Sequence, residues 1–133
     1  MPVAVRPAHY ESQSQELIGV LQMNLPQLPH LRLFPWLYLG NPEGQALTWV
    51  ASDAERIVGV AAAFPRRFYF FGEETRGYVL GDFCINPGHR SLGLAVALQR
   101  ACLEGLSAGD AGFIVDFPSQ TMLAIYKIGR AHV

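Results

Sequence analysis

The chain has 133 residues, enough for one domain with a sizeable core. Half of its residues are hydrophobic and 16% are charged, which excludes a disordered tail. A net charge of −1 with scattered acids and bases gives no surface suited to nucleic acid or to an anionic membrane.

Met1 to Tyr10 has no apolar core behind a basic start, and no apolar run is long enough for a membrane helix. Cys84 and Cys102 lie in apolar surroundings without metal-ligand spacing, as two buried thiols in a reducing cytoplasm would. No metal site is expected. The chain should be soluble and cytoplasmic, and its oligomeric state is left open.

Val3 to Pro7 reads as a short strand ended by proline. Leu17, Val20, Leu21 and Asn24 recur at helical spacing, so Tyr10 to Asn24 should be a helix, stopped by Pro26 and Pro29. Leu31 to Leu39, around Pro35, is a short second helix or a packed loop. Asn41 to Gly44 is a turn by composition. Ala46 to Ser52 is a strand, Asp53 to Glu55 a hairpin turn, and Arg56 to Phe64 the next strand. This strand should resume over Arg67 to Phe71 after a break at Pro65. Gly72 to Gly77 reads as a turn with Glu73 and Glu74 solvated, and Tyr78 to Ile85 as a further strand. Ser91 to Leu106 should be a helix, with a mostly apolar stripe through Leu92, Ala95, Val96, Gln99, Cys102, Leu103 and Leu106. Gly112 to Phe117 is a short apolar strand, and a last helix runs from Pro118-Ser119 towards Tyr126. Three hairpin-linked strands in the middle imply an α/β fold with a mixed sheet, antiparallel first and crossing over late.

The most informative segment is Ile85-Asn86-Pro87-Gly88-His89-Arg90-Ser91-Leu92-Gly93-Leu94-Ala95, where a strand ends and a helix opens. The first turn of a helix offers backbone N–H groups without internal partners, and its dipole favours an anion. Gly93 and Ala95 keep side chains small where a phosphate would approach. Ser91 supplies a cap and Arg90 a cation. A Walker phosphate loop is excluded, since no Gly-Lys-Ser/Thr occurs, and the three spaced glycines of a dinucleotide fingerprint are absent.

Arg90-Ser91-Leu92-Gly93-Leu94-Ala95 resembles the R/Q-x-x-G-x-G/A signature of the Gcn5-related N-acetyltransferase (GNAT) superfamily, preceded as usual by an aliphatic residue, any residue and proline. The resemblance extends from about Val3 to Tyr126. It implies an acyltransferase that moves an acetyl or other acyl group from acyl-CoA to a small-molecule or protein amine, with acetyl-CoA as co-substrate. It also implies pyrophosphate contacts from Arg90, Ser91, Leu92, Gly93, Leu94 and Ala95, and main-chain pairing of the pantetheine arm with the strand end at Cys84 and Ile85. The sheet should splay between its fourth and fifth strands, and a strand-end N–H should polarise the thioester carbonyl.

A second marker, N-x-x-A-x-x-x-Y, is matched in spacing by Ser119, Met122 and Tyr126, with two identities changed. The resemblance makes Tyr126 the general acid towards the departing thiolate, and puts Ser119 beside the CoA. The general base stays open among Glu73, Glu74 and Asp82. Asp82 stands within an apolar strand, where an ionised carboxylate needs a partner, so it is either a functional or a structurally paired group. His89 should be exposed. Arg66 and Arg67 should face solvent. His30 to Gly44, with Trp36 and Tyr38, corresponds to an acceptor wall in relatives, although core packing is the expected use of those aromatics. The alternative reading is a GNAT-like module without CoA chemistry, an aminoacyl-transfer or binding domain of a longer cell-envelope or polysaccharide-related protein. The intact Arg90, Gly93 and Ala95 argue against it.

Relatives continue past the tyrosine as Y-x-x-x-G-F, whereas Gly129 falls one place early and Arg130 replaces the aromatic. Ile128 to Val133 is also what ATC-GGA-AGA-GCA-CAC-GTC encodes, a run of common sequencing-adapter DNA. The expectation is a GNAT domain over residues 1–127, incomplete at its C-terminus and lacking its last strands. Residues 128–133 would then be a non-native tail, and the fragment weak or inactive.

Overall fold

The computed structural model describes residues 3–109 and 113–115. Ser119, Tyr126, the expected last helix and the expected tail over 128–133 lie outside the described residues. Among the described residues five strands form one sheet in the order β1-β2-β3-β4-β5. They are β1 (Ala4–Pro7), β2 (Leu47–Asp53), β3 (Arg56–Phe70), β4 (Glu73–Ile85) and β5 (Ile114–Val115). The first four pair antiparallel, and β5 joins β4 in parallel through Tyr78↔Ile114 and Val79↔Val115. This is the mixed α/β architecture that the element order implied.

Helices cover both faces. On one side lie α1 (Tyr10–Asn24), α2 (His30–Phe34) and a π-turn over Pro35–Leu39. Leu17, Val20 and Leu21 of α1 are buried there with Phe34, Tyr38, Val50, Val60 and Phe64. On the other side α3 (Leu92–Ala108) packs Ala95, Leu98, Cys102 and Leu106 against Ala51, Val58, Ala61 and Ala63. The small residues of β3 let α3 come close. A Cβ on Gly59 would stand 3.3 Å from Leu98 and Ile85.

Two sequence expectations fail in the β3–β4 hairpin. Pro65 does not break β3, which runs unbroken to Phe70. The β2 ladder ends at Leu47↔Ala63, and Pro65 pairs only with Tyr78 of β4. The missing N–H of Pro65 points to the side where no β2 partner remains, and so breaks no ladder bond. The expected turn over Gly72–Gly77 shrinks to Phe71 and Gly72, both at positive φ (51° and 82°), as a tight primed hairpin turn requires. Glu73 and Glu74 are therefore exposed strand residues, paired opposite Phe70 and Tyr69.

Candidate active site

Between β4 and α3 the chain makes one turn of 3-10 helix over Pro87–His89, and Arg90 returns it to extended backbone. Ser91 caps α3. Its Oγ accepts the Leu94 N–H at 3.1 Å, and its carbonyl accepts the Ala95 N–H at 3.0 Å. The earlier amides of the turn, those of Leu92 and Gly93, have no carbonyl behind them within the helix. Ser91, Leu92 and Gly93 are exposed, Leu94 is half-buried and Ala95 is buried against the sheet. A Cβ built on Gly93 or on Gly88 would meet nothing within 4 Å. Among the described residues the junction is thus open at Gly88 and Gly93 and positively polarised by its free amides, as an anion site requires.

The strand end beside it is equally specific. Asn86 N–H donates to Val58 O at 2.7 Å, so Asn86 and, two residues back, Cys84 turn their backbone groups towards β3. Ile85 turns its own away from β3. Its carbonyl accepts Arg90 Nε at 2.9 Å, which leaves the Ile85 N–H as the outward donor of this edge. The described β5 pairing reaches only Val79, and β4 continues from Leu80 to Ile85. Of the two strand-end residues singled out in the sequence, Ile85 presents its backbone outward. Cys84 buries its thiol in the α1 cluster, where burial and then the Asp82 charge push that thiol up to about 12.

Asp82 sits at a bulge. Val60 pairs with Cys84 and Ala62 with Gly81, so Asp82 and Phe83 together oppose Ala61. Asp82 takes φ 48°, a left-handed backbone that few residues other than glycine, asparagine and aspartate accept. Its carboxylate is half-buried, and Tyr38 Oη donates to Oδ2 at 2.7 Å. The sequence is compatible with a functional or a structurally paired Asp82; its partner is Tyr38. No motif signals that contact, because the π-turn that aims Tyr38 has no recognised sequence pattern.

Three further expectations are corrected. His89 is half-buried, not exposed, with Nε2 lying 2.9 Å from Asp53 Oδ2. Trp36 is 60% exposed, so core packing does not explain it, whereas Tyr38 is 1% exposed and does belong to the core. Arg66 is half-buried and donates to the Pro65 carbonyl at 2.8 Å, while Arg67 does face solvent. Among the described residues no acidic, histidine or cysteine cluster could hold a metal ion. No helix among them is long and apolar enough to cross a membrane.

Solved structures with this fold include a predicted acetyltransferase with acetyl-CoA from Clostridium acetobutylicum, 17% identical, with a TM-score of 0.74 over 96% of this chain and 88% of that one. Another is glucosamine-6-phosphate N-acetyltransferase from Arabidopsis thaliana, 9% identical, with a TM-score of 0.73 over 98% and 91%. A third is an acetyltransferase from Trypanosoma brucei, 22% identical, with a TM-score of 0.71 over 96% and 92%. No curated protein matches the sequence. Residues 36–128, which include the whole β4–α3 junction, match the acetyltransferase (GNAT) domain, and the chain belongs to that family.

Proposed function

We propose that the chain transfers an acetyl, or another acyl, group from acyl-CoA to an amine acceptor in the cytoplasm. The observation that carries this reading is the open α3 N-terminus, where Arg90 to Gly93 are exposed and Gly93 has free space around it. When bound, acyl-CoA supplies the activated thioester. The Leu92 and Gly93 amides and the helix dipole hold its diphosphate, with Arg90 adding charge. The Ile85 N–H lies along the pantetheine arm, at the edge that β4 turns away from β3.

Asp82 stands three residues before Ile85 on the same strand, about 10 Å along it. It takes the proton that an ammonium acceptor must lose before it attacks. Tyr126 is the candidate donor to the departing thiolate, and Ser119 a candidate contact to the CoA. The acceptor can be a small molecule or a protein amine; polyamines, aminoglycosides, amino sugars and lysine side chains all fit a carboxylate at this place.

Titration calorimetry with acetyl-CoA, paired with a thermal-shift measurement, tests the reading. Binding with a rise in Tm is expected, since a ligand of the folded state stabilises it. No heat together with no shift overturns the proposal.

A further inference from the structure

Tyr38 and Asp82 come from distant parts of the chain, and each reaches the other through an irregular stretch of backbone. Tyr38 rides on the π-turn, closed by Gly40 N–H donating to Pro35 O at 2.8 Å. Such turns widen a helix locally and re-aim its side chains. Its buried ring is held by two aromatic neighbours, stacked on Phe34 with centroids 4.5 Å apart and T-shaped to Phe64 with centroids 5.1 Å apart. On β4, Tyr78 and Leu80 pack on the α3 side, and so do Phe83 and Ile85. The bulge between them shifts the alternation by one residue. Without it, Asp82 would share the α3 face with Tyr78 and Leu80. With it, Asp82 turns to the opposite face and meets Tyr38.

We infer that Tyr38 is a positioning residue for the acceptor: its phenol fixes Oδ2 of Asp82 and leaves Oδ1 to receive a cationic amine. This rests on the proposed acyl transfer and adds the group that aims the carboxylate. The clamped ring cannot swing away, so the carboxylate is held in one orientation instead of rotating freely. Tyr38 also stays a donor. Burial, and then the Asp82 charge, hold its ionisation well above the usual phenol range. The other titratable groups here are Cys84 on β4 and Tyr10 from α1, with Arg90 acting on Cys84 from the loop before α3. Burial pushes both the Tyr10 phenol and the Cys84 thiol up as well, so neither competes with Asp82 for an ammonium.

The test measures CoA release from acetyl-CoA with spermidine, kanamycin, glucosamine 6-phosphate and a lysine-containing peptide, from about pH 6 to about pH 9. It compares the unaltered chain with Tyr38→Phe, Asp82→Asn and the double variant. Asparagine tolerates the left-handed backbone, so Asp82→Asn removes charge and leaves the bulge. Tyr38→Phe should lower kcat/KM for the amine by about tenfold across that range. Asp82→Asn should cost about a hundredfold, and the double variant should be no worse than Asp82→Asn alone. Acetyl-CoA affinity should stay within about twofold throughout.

A Tyr38→Phe profile that superimposes on the unaltered one, or a double variant whose loss is the product of the two, overturns the inference and leaves the acyl-transfer reading standing. An unaltered chain that acetylates none of the four amines removes that reading, and this inference with it.

Discussion

His89 and Asp53 tie the turn before α3 to the end of β2, with Nε2 and Oδ2 2.9 Å apart. The pair fixes the segment that leads into Arg90, although each side chain is about one-third exposed (33% and 32%). A pair exposed to this degree contributes little to stability, about 0–1 kcal/mol. Its value lies in holding the turn in place before ligand arrives. Asp53→Ala should therefore weaken acetyl-CoA binding by about threefold to fivefold while Tm falls by only about 1–2 °C. Calorimetry and thermal melts on the same preparations separate the two effects. A large drop in Tm with unchanged affinity would make the pair purely structural.

Gly93→Ala should act with opposite sign on stability and on binding. Alanine favours helix over glycine by up to about 1 kcal/mol, less in the first turn, and its Cβ would meet open space in the free protein. Tm should rise by about 1–2 °C. The same methyl would stand where the diphosphate must approach the backbone, so acetyl-CoA affinity should fall by about tenfold or more. Acetyl-pantetheine, which lacks the diphosphate, should bind as before. Equal affinity of the variant for acetyl-CoA would mean that the diphosphate rests elsewhere.

The parts of the site differ in how far they could be read from sequence. The strand-turn-helix passage from Ile85 to Ala95 is contiguous, and local rules about proline, caps and helix starts suffice to place it. The same holds for α1, whose apolar residues repeat with the helical period. The Tyr38–Asp82 contact spans 44 residues and depends on a π-turn at one end and a bulge at the other. Neither irregularity leaves a local signature. The Phe71-Gly72 turn was hidden for a related reason. Its first residue is a bulky aromatic at positive φ, where asparagine, aspartate or glycine is the usual sign. Pro65 misled in the other direction, because a proline breaks a strand only where its N–H was needed.

Packing of α3 on the sheet sets a third test. A Cβ on Gly105 would come 2.0 Å from Trp49 Cζ2, so one of the two must move. Overpacking of this sort costs about 1–3 kcal/mol. Gly105→Ala should lower Tm by several degrees despite its better helix propensity, and the double variant with Trp49→Phe should recover part of the loss. An unshifted melt for Gly105→Ala would show that α3 slides freely on β2, which would also loosen its N-terminus.

Alkaline stability follows from Cys84. Cys84 is 7% exposed, and burial moves its thiol from the ordinary value of 9.0 to about 12. Below about pH 9 the thiol is protonated whether the chain is folded or not, and it contributes no slope. Above that, the unfolded chain releases the proton and the folded chain keeps it, so the unfolded state binds fewer protons and stability falls as pH rises. The loss continues until the folded thiol itself ionises near pH 12, at up to about 1.4 kcal/mol per pH unit. Tyr38 adds to it from above pH 10.0, because its phenol is raised by burial in the same way. Cys84→Ala should start less stable at neutral pH, by about 1 kcal/mol for the lost packing. Its stability should then decline more shallowly between pH 9 and 10, by about half a proton's worth of slope at the lower end and about nine-tenths at the upper. Urea unfolding of both chains at several pH values in that range measures the two slopes. Parallel curves would mean that the Cys84 thiol titrates alike in the folded and unfolded chain, and that solvent reaches this side of β4 beside Asp82.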